Sequence, residues 1–253
     1  MSMLFASLPV TQRPAAAAAA GFRYVESWWP FPAAVPCPRE VQRFCDALAD
    51  ARVQLVALNL DAGDVGRGDR GLLSDPGAGH RFAANLEAAA SLATRTGCRT
   101  LNALYGNRLA GHDPAQQEQT ALERITIAAG RAAALGGQVV IETLSLAGNP
   151  RYPLTDIAAT ASFVQLASQR AGRRNVGLLL DVYHLAAMGA DPVAAIRRYA
   201  PLIRHVQFAD APGRGRPGTG ALDFAAIERA LLDAGYDGFV GLEYDPGYGA
   251  VTR

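Results

Sequence analysis

The chain has 253 residues, 50% of them hydrophobic and 19% charged, with a formal net charge of +1, which excludes a strong field that would gather nucleic acid or an anionic membrane surface. Its three cysteines, Cys37, Cys45 and Cys98, are too few and odd in number for a disulfide framework and are expected as free thiols in a reducing compartment. The alanine run at 15–20 is too short for a signal core or a span, so a cytoplasmic protein with neither a membrane nor a nucleic-acid partner is expected.

In chain order, the stub 1–7 (MSMLFAS) is expected as a short first strand before an Ala-rich helix. FRYVES at 22–27 is the next strand, followed by an amphipathic helix over 38–51. RVQLVALN at 52–59 leads through a Gly-rich loop, 61–79, to a helix over 80–96. RTLNAL at 99–104 precedes a helix over 114–135, and QVVIET at 138–143 a helix over 155–171. VGLLLD at 176–181 precedes a helix over 192–199. IRHVQF at 203–208 leads through a second Gly-rich loop, 209–222, to a helix over 223–234, and GFVGLE at 238–243 ends the series.

Several of these short runs are apolar throughout, as parallel strands covered on both faces require. Asp191 before Pro192, and Asp223, are helix-start signals; Gly97 and Gly235 stand where a left-handed terminator is wanted. Repeated strand–helix alternation predicts a parallel sheet with right-handed crossovers. Barrels of eight such units take about 250 residues. A single α/β domain over 1–253, a (β/α)8 TIM barrel, is therefore expected. Its first strand is expected to be truncated and its last helix missing, since ten residues follow Glu243. An open doubly wound sheet is the architectural alternative.

Four consecutive runs end in a polar side chain: Glu142 in VVIE, Asp181 in GLLLD, Gln207 in HVQF and Glu243 in VGLE. In a barrel these ends converge on one pocket. Three carboxylates brought together resist ionising together, and a divalent cation relieves that conflict. All-oxygen ligation with one neutral amide suits Mg2+ or Mn2+. The plain alternative for each residue is a cap or a loop hydrogen bonder. His184, three residues after Asp181, is placed as a metal ligand, a substrate contact, a proton shuttle or an ordinary loop histidine. His205 shares a strand face with Gln207, to support the site or to fill the interior. Arg70 and Arg214, in the two long loops, are candidates for a substrate anion or are solvated loop residues. Trp28 and Trp29 are expected to wall the pocket, and His80 and His112 to be structural or surface residues.

The segment HVQFADAPGRGRPGTGALDF (205–224) resembles the hydroxypyruvate isomerase family, within the xylose-isomerase-like barrels. So do GYDGFVGLEYDP (235–246), LLLDVYH (178–184) and, more weakly, AGDVGRGDRG (62–71) and AGFRYVES (20–27). The resemblance implies metal or acid–base roles for Glu142, Asp181, Gln207 and Glu243, with the two glutamates as the proton-transfer pair. Related ketose 3-epimerases usually carry a histidine where Gln207 stands. The chain departs from the family at Arg216, where an acidic residue is common, at Ala221, where a glutamate is common, and at Asp245, where lysine or glutamine is common.

The function these features imply is isomerisation of a small hydroxy-keto acid, hydroxypyruvate to tartronate semialdehyde, through an enediolate. A 2-oxo-tetronate isomerase or a ketose epimerase on the same site is the near alternative, and a non-catalytic metabolite-binding barrel the distant one. A homodimer is plausible for barrels of this kind.

Overall fold

The computed structural model describes residues 1–248. One sheet holds seven parallel strands in sequence order: β1 (Tyr24–Ser27), β2 (Gln54–Asn59), β3 (Thr100–Asn102), β4 (Gln138–Glu142), β5 (Val176–Asp181), β6 (Ile203–Phe208) and β7 (Val240–Leu242). Each falls inside a run expected from the sequence. Around them lie α1 (Arg13–Ala19), α2 (Pro38–Asp50), α3 (Gly79–Thr96), α4 (Pro114–Ala134), α5 (Ile157–Ala171), α6 (Val182–Ala187), α7 (Pro192–Tyr199) and α8 (Phe224–Asp233). Sequential order with only parallel neighbours makes this a nearly closed (β/α) barrel rather than an open doubly wound sheet.

Local chemistry accounts for the element boundaries. Asp113, Asp156, Asp191 and Asp223 each accept a backbone N–H in the first turn of the helix that follows. Gly97, at φ 74°, ends α3, and Gly235, at φ 71°, follows α8. Strands β4 and β5 are buried almost throughout, with Val139, Val140, Ile141 and Leu178 fully inaccessible. Among the described residues, no helix is long and apolar enough to cross a membrane.

The stub at 1–7 is not a strand. Residues 2–7 are successive turns. Phe5 N donates to Met1 O, Ala6 N to Met3 O and Leu8 N to Phe5 O, at 3.0–3.2 Å, so local bonds take up amides that a ladder would need. Arg13 fixes the bend by donating to the carbonyls of Leu8 and Ala6. Side chains therefore span the seam between β7 and β1. Trp28 Nε1 donates to Glu243 Oε1 at 2.6 Å, and the Tyr24 and Phe239 rings lie 4.8 Å apart.

Candidate active site at the strand ends

Glu142 is the last residue of β4 and Asp181 the last of β5, where it also caps α6 by accepting Tyr183 N at 2.8 Å. The cap turns the chain so that His184, in the first turn of α6, faces back over the barrel. Its Nε2 lies 3.9 Å from Glu142 Oε1 and 3.8 Å from Asp181 Oδ2. One ligand atom from each of the three lies within 4.8 Å of the others, and all three residues are buried. On the other side of the ring, His184 Nδ1 accepts from Ser145 N at 3.1 Å, leaving Nε2 for the cavity. Burial pushes His184 down to about 4, against the pull of Asp181, so the ring is neutral near pH 7.

Glu243 follows β7 directly. Its carboxylate accepts from Trp28 and, through a short contact, from Arg214 Nη2, which also donates to Asp181 Oδ2 at 3.0 Å. Burial pushes Glu243 up to about 7; Arg214 opposes the rise, and Glu26 and Asp181 add to it. Glu142 stands well above the usual carboxylate range because it is buried and close to Glu243 and Asp181. Burial disfavours the charged form of Arg214, but Glu243, Asp181 and Glu142 reverse that and hold it firmly protonated.

The 209–222 loop places Arg214, and a residue that sequence reasoning passed over shapes that loop. Buried Asp210 accepts backbone N–H groups from Ala211, Gly218, Gly220 and Leu222 at 2.8–3.1 Å. Arg214 itself sits in the left-handed region at φ 60°, with Nε on the Glu243 carbonyl and its guanidinium 5.3 Å over the Tyr183 ring. An acidic residue between a strand and a Gly-rich run was the available signal.

Gln207 and His205 both turn towards Glu26 of β1. Glu26 Oε1 accepts from Gln207 Nε2 at 3.0 Å, and Oε2 pairs with His205 Nε2 at 2.7 Å. Glu26 is opposed by burial but held below the usual range, first by the His205 hydrogen bond. Among the described residues, buried Gln207 Oε1 has no hydrogen-bond partner. Asn102 was also missed; its Nδ2 donates to Glu142 Oε2 at 3.0 Å.

Glu142, His184, Arg214 and Glu243 open into a cleft of about 590 Å³ that Trp28, Trp29, Arg70 and Arg81 also line, so both tryptophans wall the pocket. Arg70 is committed to the loops: Nη1 donates to the carbonyls of Val65 and Asp69, Nη2 to that of Gly148, and Nε to Asn149. Arg81, also missed, is gripped through Nε and Nη2 by buried Asp61 at 2.7 and 3.0 Å. Among the described residues its Nη1 has no hydrogen-bond partner, and the side chain is 46% exposed.

Glu142 and Asp181 bring carboxylate oxygens within 4.8 Å of each other and of a His184 ring nitrogen, and buried oxygens grouped in this way form a donor set able to hold a metal ion. The buried, unpartnered amide oxygen of Gln207 fits the same requirement.

The family model for the xylose isomerase-like TIM barrel matches residues 14–251. A Streptomyces coelicolor protein named "Putative hydroxypyruvate isomerase" is 47% identical over 249 residues, spanning 98% of this chain and 89% of that protein. The chain belongs to the hydroxypyruvate isomerase family of xylose isomerase-like barrels. Another member, the Escherichia coli K12 protein named "Hydroxypyruvate isomerase", is 30% identical over 246 residues, spanning 97% of this chain and 92% of its own length. The fold also matches a crystal structure titled as an AP endonuclease, family 2, from Brucella melitensis. That match has a TM-score of 0.84 and 30% identity, and covers 96% of this chain and 90% of the other. The family thus carries isomerase names on a fold shared with other activities, so the chemistry has to be argued from the site.

Proposed function

We propose that this member of the family interconverts hydroxypyruvate and tartronate semialdehyde. The observation that carries the reading is the meeting of Glu142, Asp181 and His184 with Glu243, which shares Arg214 with Asp181, at adjoining strand ends. Glu243, pushed up to about 7, and Glu142, held well above the usual carboxylate range, suit a reaction in which one proton leaves a carbon and another arrives at its neighbour.

In the forward direction Glu243, ionised in part near pH 7, takes a proton from C3 of hydroxypyruvate. The C3–H electron pair becomes the C2–C3 double bond, and the C2 carbonyl pair moves onto oxygen to give an enediolate. Glu142 delivers a proton to C2, while the C3 hydroxyl loses its proton and becomes the aldehyde. The C2 oxygen ends as a hydroxyl, so atoms and charge balance. His184 Nε2, facing both Glu142 and Asp181, is placed to hydrogen-bond a substrate oxygen. A divalent cation, Mg2+ or Mn2+, held by Glu142, Asp181, Gln207 and Glu243 with His184 beside them, would stabilise negative charge on the substrate oxygens. Arginine suits the substrate carboxylate, through paired N–H donors. Arg81 has donors to spare for it; Arg70 is occupied by loop carbonyls. The tryptophans keep water from the enediolate.

The test is incubation with hydroxypyruvate in deuterium oxide, followed by NMR, after chelation and after return of Mg2+ or Mn2+. Cation-dependent deuterium exchange at C3 with appearance of tartronate semialdehyde is expected; no exchange under any condition overturns the reading. Glu243→Gln should lower kcat by about 10²–10⁴-fold with an unchanged circular dichroism spectrum. The cleft, about 590 Å³, is roomier than a three-carbon acid needs, which favours a second reading on a four-carbon 2-oxo acid. A higher kcat/KM for 2-oxo-tetronate than for hydroxypyruvate would select it.

A further inference from the structure

Glu26 lies on β1, the strand farthest in sequence from the carboxylates of the site, and the proposed mechanism gives it no part. It is nonetheless firmly held. Its two oxygens engage His205 and Gln207 at 2.7 and 3.0 Å. The carboxylate lies flat against the β7 backbone at Gly241, where a Cβ would come within 2.5 Å of the Glu26 carboxyl carbon and both oxygens. Any side chain at 241 would expel the carboxylate, so the barrel leaves a glycine-sized recess for it.

The consequence falls on Gln207. An amide has two nearly isosteric ends, one donating and one accepting, and left alone it can present either. A carboxylate only accepts. The end of Gln207 that meets Glu26 must therefore be the NH2 group, and the oxygen must point the other way. That oxygen is buried and, among the described residues, has no hydrogen-bond partner, although a buried acceptor without a partner costs about 1–3 kcal/mol. The strand register sets Gln207 beside Asp181 on one side and Gly241 on the other.

We propose that Glu26 is a positioning residue that locks the Gln207 amide with its oxygen towards the cation site. His205 holds Glu26 in place through its Nε2, and Gly241 provides its seat. The inference rests on the cation-assisted reading given under the proposed function. It explains how a residue with no preferred end serves as a ligand: a second residue, itself anchored on two sides, chooses the end.

The experiment measures Mn2+ affinity by calorimetry in a double-mutant cycle. Glu26→Met keeps the side-chain length and removes the acceptor. In the otherwise native protein it should weaken Mn2+ binding about 10–100-fold, as loss of an outer hydrogen-bond partner typically does. In a Gln207→Glu background both terminal atoms are oxygen and there is no end to choose, so the same Glu26→Met change should cost no affinity. An equal loss in both backgrounds, or no loss in the first, overturns the proposal. If the starting protein binds no Mn2+, the cation-assisted reading fails and takes this one with it; binding that is indifferent to Glu26 overturns this one alone. A measurement on the unaltered protein stands beside the cycle and does not depend on how the variants fold. The Gln207 side-chain NH2 resonances, assigned by their loss in Gln207→Glu, should show slow solvent exchange that persists at saturating Mg2+. Fast exchange on Mg2+ addition would mean that the amide leaves Glu26 when the cation arrives, and overturns the proposal.

Discussion

At the scale of single residues, the carboxylates determine the pH behaviour. Glu142 and Glu243 bind protons more tightly folded than unfolded, the latter rising to about 7 from an ordinary value of 4.5. A carboxyl raised in this way makes the fold lose stability as pH climbs from the ordinary value through the raised one. A bound cation removes the penalty by pairing with the ionised forms. Addition of Mg2+ or Mn2+ at about 100 times Kd should therefore raise Tm at pH 8 by about 5–10 °C, and by much less at pH 5; equal shifts at both, read by calorimetry, would contradict the raised carboxylates. Arg81, turned into the cleft by Asp61, is expected to act on binding alone. Arg81→Gln should raise KM for hydroxypyruvate about tenfold or more, in line with a lost charge-assisted pair, with kcat little changed in steady-state assays. The three carboxylates and Gln207 were legible because each interrupts an apolar run at its end. Glu26, Asn102, Arg81 and Asp210 were not. Glu26 and Asn102 sit in strands whose facing partners are remote in sequence, and the importance of Arg81 depends on which way Asp61 turns it. Arg70 was the loop arginine expected at a substrate anion; the folded loops show its N–H groups donating to Val65, Asp69, Gly148 and Asn149.

Elements carry a different lesson. The period and the punctuation were enough for all seven strands, because each is a short apolar run bounded by turn residues. They failed at the stub 1–7, where an apolar run curls into turns stabilised by Arg13. Composition does not encode that choice, since it depends on whether a neighbouring strand is within reach to accept the amides. The 209–222 loop shows how an element is organised from one point. Its four backbone N–H groups on Asp210 are bonds to a charge, each worth about 1.5–3 kcal/mol in isolation. Asp210→Ala should destabilise the protein by about 3 kcal/mol or more in urea denaturation. It should also lower kcat by displacing Arg214 from Asp181 and Glu243, although residue 210 makes none of these site contacts itself. Full activity in a destabilised variant would show that the loop finds its shape without Asp210.

At the scale of the molecule, the sheet of the described residues runs from β1 to β7 without a ladder joining its two ends. The end strands are short, with four residues in β1 and three in β7, against five in β4 and six in β5, and the three-residue β3 is flanked by strands on both sides. In amide hydrogen exchange the β4 and β5 amides should be the slowest, and those of β7 should exchange orders of magnitude faster, through local opening; uniform protection around the ring would rule this out. The groups that close the gap are Trp28 on Glu243, and Glu26 with Gln207 and His205. The ring's buckle is thus made of the parts that would work on the substrate. A ligand that tightens those contacts also fastens the hoop, and anything that springs the hoop disarms the chemistry before the remaining strands have come apart. Heat or denaturant should then extinguish activity ahead of the bulk loss of secondary structure.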